Sequence, residues 1–426
     1  MRLGGRASAA MEVLGDMATR HRPASEALRD WGLSHRFAGG GDRAAIGNLV
    51  YDSLRKRSSQ AWRAGSDDAA GLVLMTLLGQ WGYGADELAA EFAQDRHAPE
   101  LPGGEVLQGW LARNPGDAPA HVQADIPEWC VPQFEHALGE DWIAEAQALA
   151  ERPPLDLRVN TLKSTRDKVA KQLARFDAVS TPYSPTGLRI APGTRAARLP
   201  NVQAEAAFQK GWFEVQDEGS QLAAFAENVQ PGEQVFDYCA GAGGKTLALA
   251  AAMENRGQIY AHDSDRMRLA PIHDRLKRAG ARNVQVLAPA ADLSSFEGKM
   301  DCVLVDAPCT GSGTWRRRPD AKWRLDEATL EARTAEQDLI LAQAGRLVRP
   351  GGRLVYVTCS LFAAENVDRV KAFLTNNGDF ALQSAAEPFV RMCNSAQCRV
   401  AEGSMVALTP KRTGTDGFFF ATLVRA

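Results

Sequence analysis

Two textures alternate along this chain when it is read for apolar and polar positions. Residues 1 to about 150 repeat at the helical period. From Asp42 to Arg57 the apolar positions Ile46, Leu49, Val50 and Leu54 fall on one face. Asp42 follows the breaker Gly39-Gly40-Gly41 and is placed to cap that helix. The uncharged stretch Ala69 to Ala85 holds Thr76, Gln80 and four glycines, and reads as a buried core helix. No convincing strand appears in this part. Up to Arg96 the only proline is Pro23. Six prolines between Pro99 and Pro132 then break the next stretch into short helices and loops. Pro153-Pro154 marks a boundary.

Beyond it the period changes. LDLRVNTL, from Leu155, alternates like a strand; Lys168 to Arg175 reads as a short helix and Leu188 to Ile190 as a strand. From Pro231, strand and helix alternate. QVFDYCA, GQIYAHD, NVQVL, DCVLVDAPC, RLVYVTC and GFFFATLV are the strands. Thr246 to Met253, Arg266 to Arg278 (with Pro271 early in it) and Glu327 to Leu347 are the helices. That order predicts an α/β fold with a doubly wound parallel sheet. The expected organisation is a helical domain over 1–150, a small α/β module over 151–230 and the sheet domain over 231–426.

Composition narrows this only a little. At roughly 150 residues per domain, 426 residues suit three domains. A chain that is 45% hydrophobic and 24% charged can bury more than one core, which excludes a disordered, collagenous or disulfide-stapled protein. No apolar run approaches the ~20 residues of a membrane span. The first residues carry Glu12 and Asp16 and lack the apolar stretch of a secretory signal. The cysteines number seven, are scattered and form no paired cluster, which suits a reducing cytosol. Cys393-x4-Cys398 lacks a second ligand pair, so no metal is expected.

Charge adds one local feature. The net charge is only −3, but Trp315 to Arg324 sets Arg316, Arg317, Arg318, Lys322 and Arg324 against Asp320 alone, a local +4. Trp315 and Trp323 are interleaved with those charges, and Arg55-Lys56-Arg57 is a second basic cluster. Nucleic-acid contact is therefore expected to be focused, through Arg316, Arg317, Arg318 and Lys322 together with the helical domain. The competing reading makes some of these arginines internal ion-pair partners.

Five strand ends carry candidate chemistry. Cys239-Ala240-Gly241-Ala242-Gly243-Gly244-Lys245-Thr246 tempts a P-loop reading, but the position that should hold the first glycine is Cys239. What survives is a glycine turn at a helix N-terminus, which lets backbone N–H groups approach a cofactor; alone it is also an ordinary strand-helix connection. Asp263 lies 22 residues after Gly241, at the offset where an acid accepts from both ribose hydroxyls of a nucleoside. Asp292 follows the next strand and could reach the adenine. Asp306-Ala307-Pro308-Cys309 and Thr358-Cys359-Ser360 each follow a buried strand. A cysteine taken at random is usually filler, and Cys130, Cys302, Cys393 and Cys398 keep that reading. Two thiols on strand-end loops of one sheet, beside an acid, suit covalent catalysis. A thiolate adding to C6 of cytosine makes C5 nucleophilic, an acid near N3 stabilises the adduct, and a second thiol or base helps to remove the C5 proton. The base must leave its stack to enter such a pocket.

On these residues the chain resembles the bacterial Fmu/Sun type of RNA (cytosine-5)-methyltransferases. CAGAGGKT over 239–246, DAPCTGSGTWRRRPDAKW over 306–323 and LVYVTCS over 354–360 carry the likeness, with RVNTLK, FEVQDEGSQLAA and TDGFFFA in support. It runs from about Pro127 to the end. The segment DRAAIGNLVYDSLRKR looks like the NusB-like helical RNA-binding domain of the small-subunit ribosomal-RNA branch. The resemblance implies a Rossmann-like methyltransferase sheet, S-adenosylmethionine as cofactor and a cytoplasmic, monomeric enzyme acting on small-subunit ribosomal RNA. It implies Cys359 as nucleophile, Cys309 as the cysteine that assists release, and Asp306 as the acid holding the base edge beside the cofactor. Residues 239 to 245, Asp263 and Asp292 would form the cofactor site. Gly241-Ala242 stands where the family has Ala-Pro, which loosens the loop. The alternatives are a transfer-RNA methyltransferase and a non-catalytic RNA-binding assembly factor on the same fold; intact Cys309, Asp306 and Cys359 argue against the second.

Overall fold

A computed structural model describes residues 1–384, 399–401 and 405–426. Cys393 and Cys398 lie outside them. The chain forms two compact units. One holds Met1–Pro153, Pro192–Leu199 and Trp315–Asp326; the other holds Pro154–Ala191, Pro200–Thr314 and Glu327–Ala426. Where three consecutive domains were expected, the small α/β module and the large sheet share a unit, and two short segments return to the helical one.

Among the described residues of the first unit, the regular elements are helices. Helices Leu3–Arg20, Gly40–Arg55 and Ala69–Met75 supply Ala10, Val13, Ile46, Leu49 and Val73 to one buried core. Gly39, not Asp42, is the N-cap of the Gly40–Arg55 helix. The Asp42 carboxylate instead accepts from the Arg6 guanidinium at 3.0 and 2.8 Å. The uncharged run begins as a helix capped by Asp68, whose side chain accepts from Gly71 N at 2.7 Å, then widens into a π-helical turn over Thr76–Gln80.

The basic segment 315–326 is built into this unit for a local reason. The helix Gly40–Arg55 ends on carbonyls that no further turn can satisfy. Lys322 Nζ donates to Arg55 O at 3.0 Å and the Trp323 indole N–H donates to Leu54 O at 2.6 Å. The Arg55 guanidinium in turn donates twice to Arg316 O, at 3.0 and 2.8 Å. Arg316 is 5% exposed and Lys322 2%. Burial pushes the Lys322 ammonium down to about 8. The expectation of phosphate-facing Arg316 and Lys322 is thereby corrected, since their side chains are inside. Arg318 and Arg324 are exposed and Arg317 is half-buried.

The second unit has two sheets. The smaller is antiparallel, with β1 (Leu155–Val159), β2 (Val179–Ser180), β3 (Gly187–Ile190) and β4 (Phe213–Val215) in the order β2-β3-β1-β4. The larger comprises β5 (Gln234–Asp237), β6 (Gln258–Ala261), β7 (Val284–Val286), β8 (Met300–Asp306), β9 (Val348–Thr358), β10 (Phe380–Gln383), β11 (Arg399–Ala401), β12 (Met405–Leu408) and β13 (Phe418–Arg425). Its order is β11-β12-β13-β9-β8-β5-β6-β7, with β10 also on β13. Strands β9, β8, β5, β6 and β7 are mutually parallel, as expected. β13 runs antiparallel to β9, so the whole sheet is mixed. β12 and β13 are joined by too short a connection for a parallel crossover. Along β8, Cys302 and Leu304 enter one core while Val303 and Val305 enter another. Both faces are covered, which is why the strand reads as an unbroken apolar run. The Arg266–Arg278 helix splits at Pro271 into Arg266–Leu269 and Ile272–Ala279, because proline supplies no N–H. No helix among the described residues is long and apolar enough to cross a membrane.

Candidate active site

Parallel strands bring their carboxyl ends to one edge, where open α/β sheets bind ligands. The first loop there follows β5. Gly241 and Gly243 hold φ of +48° and +81°. A Cβ on Gly243 would lie 2.6 Å from Ile272 Cγ1, so the turn needs glycine for shape as well as for space. The helix Gly244–Ala252 starts directly after it. Asp263, at the end of β6, braces the turn: Oδ2 accepts from Gly241 N and Oδ1 from Asp265 N, both at 2.9 Å. Beneath it the Thr246 hydroxyl donates to Asp237 at 2.6 Å. Burial raises the Asp237 carboxyl to about 7 against that hydrogen bond.

A cleft of about 560 Å³ opens beside this loop. Cys239, Asp263 and Asp292 line it, with Pro289, Leu293 and Ile340 as apolar walls. Asp292 is exposed at the rim, and its carboxylate accepts from Ser294 N at 3.0 Å and Ser294 Oγ at 2.8 Å. The size lies in the ~300–1,000 Å³ range of small-molecule sites. Apolar walls for a base and a carboxylate with spare lone pairs for ribose hydroxyls fit a nucleoside cofactor. Burial, with Asp263 and Asp237 nearby, pushes the Cys239 thiol well up, so it stays neutral there.

Next to the cleft, β8 and β9 end side by side. Cys309 Sγ and Cys359 Sγ stand 3.4 Å apart. Lys245 Nζ is 2.6 Å from Asp306 Oδ2. Burial alone would lower this ammonium, but Asp306 more than offsets it, with Cys359 and Asp237 adding to the field, and the net shift is upward. The hydrogen bond with Cys359, and then burial, push the Cys309 thiol well up. Cys309 is therefore a thiol that keeps its proton.

The loops bearing both cysteines are pinned from below. The buried Glu365 carboxylate accepts from Thr310 N at 2.8 Å, Thr310 Oγ1 at 2.5 Å and Gln337 Nε2 at 3.1 Å. Gln337 Nε2 also donates to Pro308 O at 2.9 Å. Gly313 N donates to Cys359 O at 2.9 Å, and Gly417 N donates to Gly313 O at 2.8 Å. A Cβ on Gly313 would meet Gly417 O at 2.2 Å, so this crossing of two backbones admits only glycine.

The structure thus brings Lys245, Asp306, Cys309 and Cys359 into one group, and Cys239, Asp263 and Asp292 into the adjoining cleft. Ala240, Gly241, Ala242, Gly243 and Gly244 shape the turn without lining that cleft. Ala242 O is taken by Arg275 Nη1 at 2.8 Å, and Gly241 N by Asp263. Sequence reasoning missed Glu365, Gln337 and His262. Glu365 lies only six residues after Cys359, but nothing in the spacing shows that its carboxylate turns under the Cys309 loop.

A parallel sheet with a glycine turn after its first strand, an acid after its second and paired thiols beyond two later strands defines a nucleoside-cofactor methyltransferase. Comparison with known proteins makes this particular. Residues 224–424 match the family described as 16S rRNA methyltransferase RsmB/F, and residues 126–196 match the ferredoxin-like domain of RsmF/B-like methyltransferases. A Synechocystis protein named probable ribosomal RNA small subunit methyltransferase B is 35% identical over 316 residues, covering 71% of this chain and 68% of its own length. Among solved structures, the protein PH0851 superposes with a TM-score of 0.75 at 26% identity over the whole of both chains. A methyltransferase homolog protein from Pyrococcus horikoshii superposes at 0.60 and 27% identity, covering 74% of this chain and all of that one. The chain belongs to the RsmB/F methyltransferase family.

Proposed function

We propose that this protein transfers a methyl group from S-adenosylmethionine to C5 of a cytosine in small-subunit ribosomal RNA. The observation that carries the reading is the 3.4 Å approach of Cys309 and Cys359 beside the Lys245–Asp306 pair. Names of relatives support the RNA class. S-adenosylmethionine, held by Asp263 and the Asp292 loop, supplies an electrophilic methyl group when bound. The chain's own residues do the rest. Cys359 Sγ bonds to C6 of the flipped base, which loads electron density onto C5 and N3. Asp306, oriented by Lys245, takes the N3 edge, where a proton from the Lys245–Asp306 pair passes to N3 as the adduct forms and returns when it collapses. Once C5 carries its methyl group, solvent takes the C5 proton, the C6–Sγ bond breaks, and the Cys309 thiol, 3.4 Å away, donates a hydrogen bond to the departing thiolate of Cys359.

RNA is held by exposed cations rather than by the helices as a whole. Residues 1–153 contain 14 Lys and Arg against 22 Asp and Glu, a net −8. The segments 192–199 and 315–326 contain seven basic and two acidic residues, a net +5. The NusB-like role therefore rests on exposed Arg318 and Arg324, with half-buried Arg317 beside them, rather than on Arg316 and Lys322. We place the protein in a reducing cytosol as a monomer. The test is methylation of small-subunit RNA by the purified chain with labelled cofactor, followed by bisulfite sequencing. Label in 5-methylcytosine at one position is expected; label in another base or only in transfer RNA refutes the substrate class.

A further inference from the structure

His262 sits between β6 and Asp263, lines the cofactor cleft and is 6% exposed. Its backbone is tied to the first loop: His262 N donates to Asp237 O at 2.9 Å, and Ala240 N donates to His262 O at 2.8 Å. Its ring is tied on both sides. Nδ1 lies 3.2 Å from Tyr238 O and Nε2 lies 3.2 Å from Pro289 O. Both partners are carbonyl oxygens, which only accept. A ring N–H is the donor in either contact. The Tyr238 ring stands edge-on at 5.5 Å and Phe236 at 6.4 Å, so aromatic groups flank the ring. Pro289 belongs to the loop that leads to Asp292, and both residues line the cleft.

We propose that His262 is the positioning residue of the nucleoside end of the cleft: its ring ties the strand end at Tyr238 to the loop at Pro289, and cofactor affinity depends on that tie. The inference rests on the reading of the cleft as the S-adenosylmethionine site.

The experiment is calorimetric titration of the full chain with S-adenosylhomocysteine. His262→Phe keeps the ring's bulk and removes both ring nitrogens. It should bind about 2- to 10-fold more weakly than the wild type, the value of one lost hydrogen bond to a carbonyl. It should also raise KM for S-adenosylmethionine with little change in kcat, and speed amide exchange over residues 286–293. If His262→Phe does not fold, His262→Gln is used under the same criteria. Equal affinity and equal exchange in wild type and variant overturn the inference alone. No binding by the wild type overturns the cofactor reading and the inference with it.

Discussion

Lys245→Met deletes one ammonium and keeps the apolar stem that carries it. Lys245 is 6% exposed, its Nζ lies 2.6 Å from Asp306 Oδ2, and the Asp306 side chain is 35% exposed. Removing one partner from a fully buried pair costs about 3–5 kcal/mol. Asp306 is open by about a third, so water replaces part of the lost charge, and the loss should be about 1–3 kcal/mol. Asp306→Asn should cost at least as much, because it strands the more deeply buried partner. The double variant removes both charges and should recover at least about 1 kcal/mol relative to the sum of the single losses. Urea unfolding followed by circular dichroism measures all four proteins. The pH arm fixes the sign. The Lys245 ammonium is held above its ordinary 10.5, so the pair's contribution is complete below that value and fades only as pH climbs past it. Coupling should be flat between about pH 6 and 9. Losses that add to within about 0.3–0.5 kcal/mol would show that the two groups do not support each other.

The other expectations follow from single positions. Gly243→Ala puts a Cβ at φ +81° and 2.6 Å from Ile272 Cγ1; thermal unfolding should show a loss of about 1–3 kcal/mol, while Gly103→Ala, with open space around it, should change little. Asp237 has a native value of about 7 against an ordinary 3.8, so its folded state holds a proton that the unfolded chain releases. Stability should therefore fall as pH rises from about 4 to about 7, by up to about 4 kcal/mol, and Asp237→Asn should flatten the fall in urea midpoints. Glu227, buried and pushed well up by burial and then Asp237, adds a fall of the same sign that survives in the variant. Arg318→Glu with Arg324→Glu should weaken RNA binding and lower its salt slope, whereas Lys322→Met should leave RNA affinity unchanged in filter binding. Lys322 has a native value near 8 against 10.5, so stability rises with pH across that window in the wild type and not in Lys322→Met.

The reach of the sequence followed what apolar periodicity can encode. Strands β5, β8 and β9 were legible because both their faces are buried, and the chemistry at their ends stood out because Cys239, Asp306 and Cys359 follow those runs directly. Pairing was less legible. Nothing in GFFFATLV shows that β13 lies antiparallel to β9, since a pattern of burial marks faces and not neighbours. Charge was misleading at Arg316 and Lys322, because a count of cations does not show that the first is buried and that the second closes the end of a distant helix. Glu365 and His262 were invisible for a related reason: each acts through contacts with carbonyls or amides from other loops. Asp42 had the right residue type and position for a cap, but a tertiary ion pair with Arg6 took its carboxylate.

The central claim is that Cys359 attacks the base while Cys309 keeps its proton for release, and trapping tests it most directly. RNA carrying 5-fluorocytosine at the target position cannot lose fluorine as a proton, so the wild type should form a protein–RNA adduct that survives denaturing electrophoresis. Cys309→Ala should accumulate the adduct even on ordinary RNA. Cys359→Ala should form none on either substrate and show no turnover. An adduct that requires Cys309 and forms without Cys359 would reverse the two roles, and methylation unaffected by either substitution would contradict covalent catalysis in this protein altogether.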